Sequence, residues 1–406
     1  MDSSAVYADD RNMPTDRPAI AIISNSQTPY RLHLHRRIAR EIPQVRLWSV
    51  YTHEISNSNW PFETPKEIGP VSFGKGESSN DHGKLKNSLK EWRRGGRIIQ
   101  WIKDHDVRFV VMMGYNDAGR MRIIRWCRKK GVPCFVFGDS NIHGDVSDGI
   151  KLILKKMVVG YLVRQCEGTL VCGTLGKAYF AKYGAAADRM FFFPYEPDYQ
   201  LVTDLPAEQI EAVRRQFGLA ADRRRIVYSG RLMVLKRVDL LIDAFLSIAP
   251  QRPEWDLVIV GDGPLRDELG RKIPPALRNR VIWTGFHDEQ SIVNAIYRAS
   301  DVLVLPSDYE PWAVVINEAA AGGMAIVSSN VVGAAAELVR DGVNGRLFPP
   351  GDLAQLTACL LDVTDLAQTE KMKAASADVL KDWRQRGDPV EGLRAAMRSV
   401  GVIGPL

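Results

Sequence analysis

Short apolar runs, each about the length of one strand, alternate with helical patterns along this whole chain, and that rhythm decides its fold class. In the first half the runs fall at residues 19–23, 45–51, 109–113, 133–137 and 168–172, with 191–194 as a last candidate. In the second half they fall at 225–229, 257–260, 281–284, 302–305, 325–328 and 345–348, separated by amphipathic helices such as 238–248 and 291–298. A strand that is apolar throughout is buried on both faces, and strands joined by helices run parallel. The expectation is an α/β protein of two doubly wound Rossmann-like domains facing across a cleft. A chain of 406 residues has the length for two cores. We place a mobile arm over 1–17, a first domain over 18–195 and a linker over 195–206 holding Pro197 and Pro206. A second domain follows over 206–375, then closing helices over 376–406 that cross back to the first.

Hydrophobic content of 45% and charged content of 25% are those of an ordinary globular protein. No apolar run is long enough to cross a bilayer, and the sequence does not open with a basic-then-apolar leader, which points to the cytoplasm. Five cysteines without metal-ligand spacing read as reduced thiols. The net charge of +6 favours an anionic partner. Nothing points to nucleic acid. Between Lys84 and Arg108 stand eight basic residues against three acidic ones, with Trp92 and Trp101. Residues 150–164, IKLILKKMVVGYLVR, mix many apolar side chains with four basic ones and no acid. Such a helix suits the anionic inner face of a plasma membrane, a groove for an anionic acceptor, or a core-packed position with a solvated basic edge. All three stay open.

The segment DYEPWAVVINEAAAGG, Asp308 to Gly323, carries the most chemistry. It sets Glu310 in the loop after the 302–305 run and Glu318 inside the following helix, with Pro311 suited to the first helical position. Open α/β sheets bind ligands at the carboxyl ends of their strands, where a helix start offers free N–H groups to an anion. Two acids flanking such a point suit a phosphate between two hydroxylated groups, as in a nucleotide sugar. Three further pieces belong to the same sheet edge. Gly230, Arg231 and Lys236 follow the 225–229 strand, and the two cations can clamp a diphosphate. Gly261 and Gly263 form a turn where backbone can approach a ligand. Phe286 follows the 281–284 strand, where backbone can read a flat base.

Taken in order, SGRLMVLKRVDLLIDAF, LVIVGDGP, VIWTGF, PSDYEPWAVVINEAAAGG and VVGAAAELVRDGVNGRLFPPGD span roughly 130 residues. This set resembles the retaining GT-B glycosyltransferases of family 4, the glycosyl transferases group 1. The resemblance implies that Arg231 and Lys236 hold the donor diphosphate and that Glu310 binds sugar hydroxyls. It also implies that Trp312, Ala313, Val314 and Val315 offer backbone N–H groups, and that Glu318 binds the ribose. Many relatives have glycine where this chain has Ala313, and a methyl group there is tolerable within a helix.

The first half carries the acceptor side. Ser24, Gln27 and Thr28 lie where that family has a glycine-rich loop beside the donor phosphate; the glycines are missing here. After the 133–137 strand, Asp139 stands where many relatives have a histidine, with Asn141 and His143 following. Asp139 or His143 can orient an acceptor hydroxyl or cap the next helix. The expected reaction is retaining transfer of a hexose from a UDP- or GDP-sugar to a glycan or glycolipid hydroxyl, as in bacterial surface polysaccharide synthesis. No Asp-x-Asp stands in a metal-binding context, so neither cofactor nor metal is expected. A sugar phosphorylase, a nucleotide-sugar epimerase and a non-catalytic binder of anionic glycans or membranes are the competing readings.

Overall fold

The computed structural model describes residues 17–55, 62–79, 84–145 and 148–404, so the arm expected over 1–17 lies, Arg17 apart, outside the described residues. The chain divides into two compact units. One holds the chain up to Cys172, then Gly176–Tyr195 and Gly387–Leu406; the other holds Gly173–Leu175 and Glu196–Arg386.

The first unit is built on β1 (Ala19–Ser24), β2 (Arg46–Tyr51), β3 (Pro70–Ser72), β4 (Val107–Met113), β5 (Cys134–Gly138), β6 (Gly168–Val171) and β7 (Met190–Phe192). They form one parallel sheet in the order β3-β2-β1-β4-β5-β6-β7. Helices α1 (Pro29–Glu41), α2 (Ser88–Asp104), α3 (Ala118–Lys130) and α4 (Gly149–Gln165) connect its strands. The six residues of β1 are all buried, as expected of a strand that is apolar but for its last residue, Ser24, in the middle of a parallel sheet. β3, three residues long and opening on Pro70, was not expected. Proline cannot donate to the ladder and so suits this edge position.

The second unit uses β8 (Arg224–Ser229), β9 (Trp255–Val260), β10 (Val281–Gly285), β11 (Val302–Leu305), β12 (Ala325–Ser329) and β13 (Gly345–Phe348), again parallel, in the order β10-β9-β8-β11-β12-β13. Both sheets wind one way from their first strand and then return to its other side. The strand order therefore reverses between β1 and β4 and between β8 and β11. At such a switch point adjacent loops leave in opposite directions and open a crevice at the carboxyl edge.

The segment expected to be a linker is divided between the units. Tyr195 goes with the first, while Gln200–Thr203 forms a helical turn of the second, with Val202 fully buried. Asn294 Nδ2 donates to Leu201 O at 2.9 Å, and Asn317 Nδ2 donates to the Tyr199 hydroxyl at 3.0 Å. Part of the basic run in α2 is also structural. Arg94 is buried against Glu91 and Glu77, and Trp101 packs edge-on to Trp48 at 5.3 Å.

After the long helix Leu366–Gly387, the helix Pro389–Arg398 belongs to the first unit. Asp388 caps it, accepting from Val390 N at 2.8 Å, and pairs with Arg37 of α1 at 2.8 Å. Val390, Leu393, Ala396 and Met397 are fully buried. Gly392 lies so close to β7 that a Cβ there would sit 1.7 Å from Phe192 O. Gly392→Ala is therefore expected to cost about 1–3 kcal/mol through overpacking. A urea or thermal melt with an unchanged midpoint would contradict this close packing.

Candidate functional site

The carboxyl edge of the second sheet is a row of loops bonded to one another. Gly230 N donates to Val260 O at 3.0 Å, Leu232 N to Asp262 O at 2.9 Å, and Gly261 N to Gly285 O at 2.8 Å. Across the switch point, Asp308 N donates to Leu235 O at 2.9 Å. Lys236 and Glu310 close the same gap with an ion pair, and Ser307 Oγ donates to Glu310 at 3.3 Å. Both charged side chains are mostly buried, at 20% and 12% exposure. A cation and a carboxylate withheld from water in this way interact more strongly than a surface pair. Arg231 is exposed on the same β8 loop, whose turn is held by the Tyr228 hydroxyl donating to Arg231 O at 3.0 Å. Asp308 accepts from Arg237 at 3.2 Å and serves the turn.

Gly261 and Gly263 also have a packing task. A Cβ on Gly261, at φ +126°, would meet Gly230 O at 2.0 Å, and one on Gly263 would meet Leu232 O at 2.4 Å. Their lack of side chains lets the β9 loop tuck beneath the β8 loop. Phe286 follows Gly285 and is exposed.

The helix after β11 begins later than expected. It runs Val314–Ala321, and Pro311 lies before it. Glu310 is extended and bridged to Val332, Gly333 N donates to Glu310 O at 3.2 Å, and Ala334 N donates to Trp312 O at 2.8 Å. These bonds hold 310–312 against the loop after β12, so the chain must turn sharply to enter the helix. Ala313 makes that turn at φ +82°. The methyl group is thus not inside a helix but in the left-handed region, where a Cβ crowds the following carbonyl. Trp312 is buried against Trp383 at 5.8 Å and is a packing residue. Val314 and Val315 form the helix start beside the ion pair's loop.

Glu318 lies one turn further on, where protein surrounds its carboxyl although the residue keeps some accessible surface. Burial pushes its pKa up to about 7, against the pull of hydrogen bonds from Tyr297 and Gln290. Gln290 Nε2 donates to it at 3.1 Å, while the Tyr297 hydroxyl also reaches Ser229 Oγ at 2.8 Å. Neither Gln290 nor Tyr297 was singled out in the sequence, since their helix was read only as an amphipathic connector between strands.

In the first unit a cavity of about 290 Å³ opens at the β1/β4 switch point, lined by Asn25, Arg31, Gly114, Tyr115, Asp139 and Tyr195 among others. Asp139 keeps accessible surface there, yet burial of its carboxyl by the surrounding protein raises its pKa above the ordinary aspartate value despite nearby Arg31. Arg31 donates to Ser26 O at 2.8 Å and to the Tyr195 hydroxyl at 3.3 Å. Of the other expected residues of this half, Ser24, Gln27 and Asn141 hold backbone. Ser24 ends β1 fully buried, its carbonyl accepting from Thr52 N at 2.9 Å. The Gln27 amide binds both sides of the Glu63 backbone, at 3.0 and 2.7 Å. Thr28 precedes α1 without making a side-chain cap bond. Asn141 caps a short turn by accepting from His143 N at 2.9 Å, and His143 is exposed. Arg31, Tyr115 and Tyr195 went unnoticed, because only the strand order brings them together.

The fold is that of the GT-B class. HepE of Anabaena, whose structure contains UDP and glucose, superposes with a TM-score of 0.70 at 19% identity, covering 95% of this chain and 100% of that one. Residues 223–365, within the second unit, match the family model of the glycosyl transferases group 1. An uncharacterized glycosyltransferase of Methanocaldococcus jannaschii is 36% identical over 133 residues, 32% of this chain and 33% of that protein. The alpha-D-kanosaminyltransferase of Streptomyces kanamyceticus is 32% identical over 195 residues, 47% of this chain and 50% of that protein. The chain thus spans between a third and a half of the length of these relatives.

Two outcomes are expected. Ala313→Gly removes the strained methyl and should raise stability by about 1–2 kcal/mol. A calorimetric melt showing no gain would contradict a left-handed Ala313. Glu318 binds a proton more readily folded than unfolded, so its contribution to stability is lost as pH rises from about 4.5 to about 7. Glu318→Gln should therefore stabilise the protein at pH 8 by up to about 3 kcal/mol and have little effect near pH 4.5. A gain independent of pH would rule out a raised pKa.

Proposed function

We propose that this protein transfers a hexose from a nucleoside diphosphate sugar to an acceptor hydroxyl, with retention at the anomeric carbon. The observation that carries the reading is the Lys236–Glu310 pair at the β8/β11 switch point, beside Arg231 and the start of the helix Val314–Ala321. In the structure the two charges pair with each other. A bound donor separates their tasks: Lys236 turns to the diphosphate with Arg231, and Glu310 accepts from sugar hydroxyls. Backbone N–H groups at Val314 and Val315 face the same anion, and Glu318 accepts from the ribose. Departure of the nucleoside diphosphate leaves an oxocarbenium-like sugar and gathers negative charge on the phosphate. Fixed cations stabilise that charge without reorganising, and in this reading they need no metal to do so.

Asp139 orients the acceptor hydroxyl in the cavity of the first unit. Its raised pKa makes it a better proton acceptor than an ordinary aspartate, though the departing phosphate oxygen is itself basic enough to take the acceptor proton. The glycosyltransferase relatives and the UDP and glucose held by HepE support a UDP-hexose donor, with a GDP-hexose as the competing choice. The acceptor we infer is a glycan or glycolipid.

Nucleotide binding tests the reading directly. UDP or GDP should raise the melting temperature, because a ligand that binds only the folded chain stabilises it by linkage. Arg231→Ala and Lys236→Ala should each reduce that rise by at least half. If no nucleoside diphosphate shifts the melt, or if both variants respond like the parent, the assignment of a donor site fails.

A further inference from the structure

We propose that the outward face of α4 docks on the surface of an anionic lipid bilayer. Val159, Gly160, Leu162 and Val163 turn inward and are buried, as one stripe of any surface helix must be. The opposite stripe is apolar too. Ile150, Ile153, Leu154, Met157 and Val158 are between 57% and 76% exposed, and Tyr161 continues the row at 36%. At 3.6 residues per turn these six side chains fall within an arc of roughly 140°. A helix that is apolar on both sides but packed on only one leaves a contiguous greasy strip in water, and such strips mark interaction surfaces.

Charge identifies the partner. Lys151 and Lys156, both exposed, flank the strip on either side, and exposed Arg164 ends it; residues 150–164 contain no acid. Apolar side chains edged by lysines are what an interfacial helix requires: the hydrocarbon enters the acyl boundary while the ammonium groups reach the phosphates. The neighbouring α3 extends the basic surface, with Arg125 Nε donating to the Tyr161 hydroxyl at 3.2 Å. A second copy of the chain meeting this strip about a two-fold axis would bring the same cations face to face, which disfavours self-association. Among the described residues no helix is long and apolar enough to cross a membrane, so the contact is one of lying on the surface.

The helix is also fixed to its unit. Asp145 accepts from Lys155 of α4 at 2.8 Å, from Lys182 at 2.7 Å and from the Tyr183 hydroxyl at 2.6 Å. Docking would therefore orient the whole first unit and its cavity relative to the bilayer. The proposal does not depend on the transferase reading, since it concerns where the chain sits and not what it transfers.

Co-sedimentation with lipid vesicles tests it. The full chain should bind vesicles of phosphatidylcholine and phosphatidylglycerol and bind pure phosphatidylcholine at least tenfold more weakly. The double variants I153S/M157S and K151E/K156E, whose side chains are exposed, should keep the parent's melting temperature and each lose at least tenfold in binding to the anionic vesicles. Equal binding by either variant, or no binding by the parent, overturns the proposal. So does a parent dimer in light scattering that I153S/M157S dissociates while vesicles capture neither protein.

Discussion

The ion pair between Lys236 and Glu310 is the contact on which the candidate donor edge depends. Parallel strands β8 and β11 are neighbours in space but far apart in sequence, and their loops leave the sheet in opposite directions. Something must hold those loops beside each other without filling the space between them. A mostly buried pair of opposite charges does so, because removing either member takes away the opposite charge that offsets the other's withdrawal from water. The same pair sets one positive and one negative group side by side at the switch point. The hydrogen bond from Asp308 N to Leu235 O, 2.9 Å long, braces the arrangement from the backbone.

Glycines and one alanine decide how closely this edge can close. Gly261 and Gly263 let successive loops stack at backbone contact, while Gly333 lets the β12 loop meet Pro311, where a Cβ would lie 2.1 Å from the carbonyl. Ala313 is the exception. It occupies a conformation that glycine takes freely, and its methyl group adds local strain at the helix start. Strain at such a position costs stability, but it also narrows the conformations of the N–H groups that follow.

Much of the fold was legible because apolar runs of strand length admit few alternatives in a chain of this size. The strands at 302–305 and 345–348 and the helix at 238–248 were read to the residue. β3 escaped because three residues opening on proline do not resemble a strand in isolation. The shared sheet edge of the second unit was legible because its residues come in one order within one unit. Its local geometry was not: Pro311 looks like a helix start until the bridge from Glu310 to Val332 is known. In the first unit the reading reached Asp139 but not the residues around it, for a more general reason. The cavity joins Asn25, Arg31, Tyr115, Asp139 and Tyr195 across more than 150 residues of sequence, and only the sheet order unites them. Ser24, Gln27 and Asn141 had suitable chemistry, yet their side chains or carbonyls are spent on neighbouring backbone. Charge counting was similarly blunt, since Arg94 contributes to the basic run but is neutralised inside the unit by Glu91 and Glu77.

The return of the helix Pro389–Arg398 to the first unit has a consequence for the order of assembly. The second unit is complete once Arg386 has been made, whereas the first still lacks the helix that covers β7 and pairs with α1. During synthesis the later-encoded body can therefore reach its native state before the earlier one. Until then the nascent first sheet must wait with part of its hydrophobic flank unsealed, which makes it the body most in need of chaperone protection.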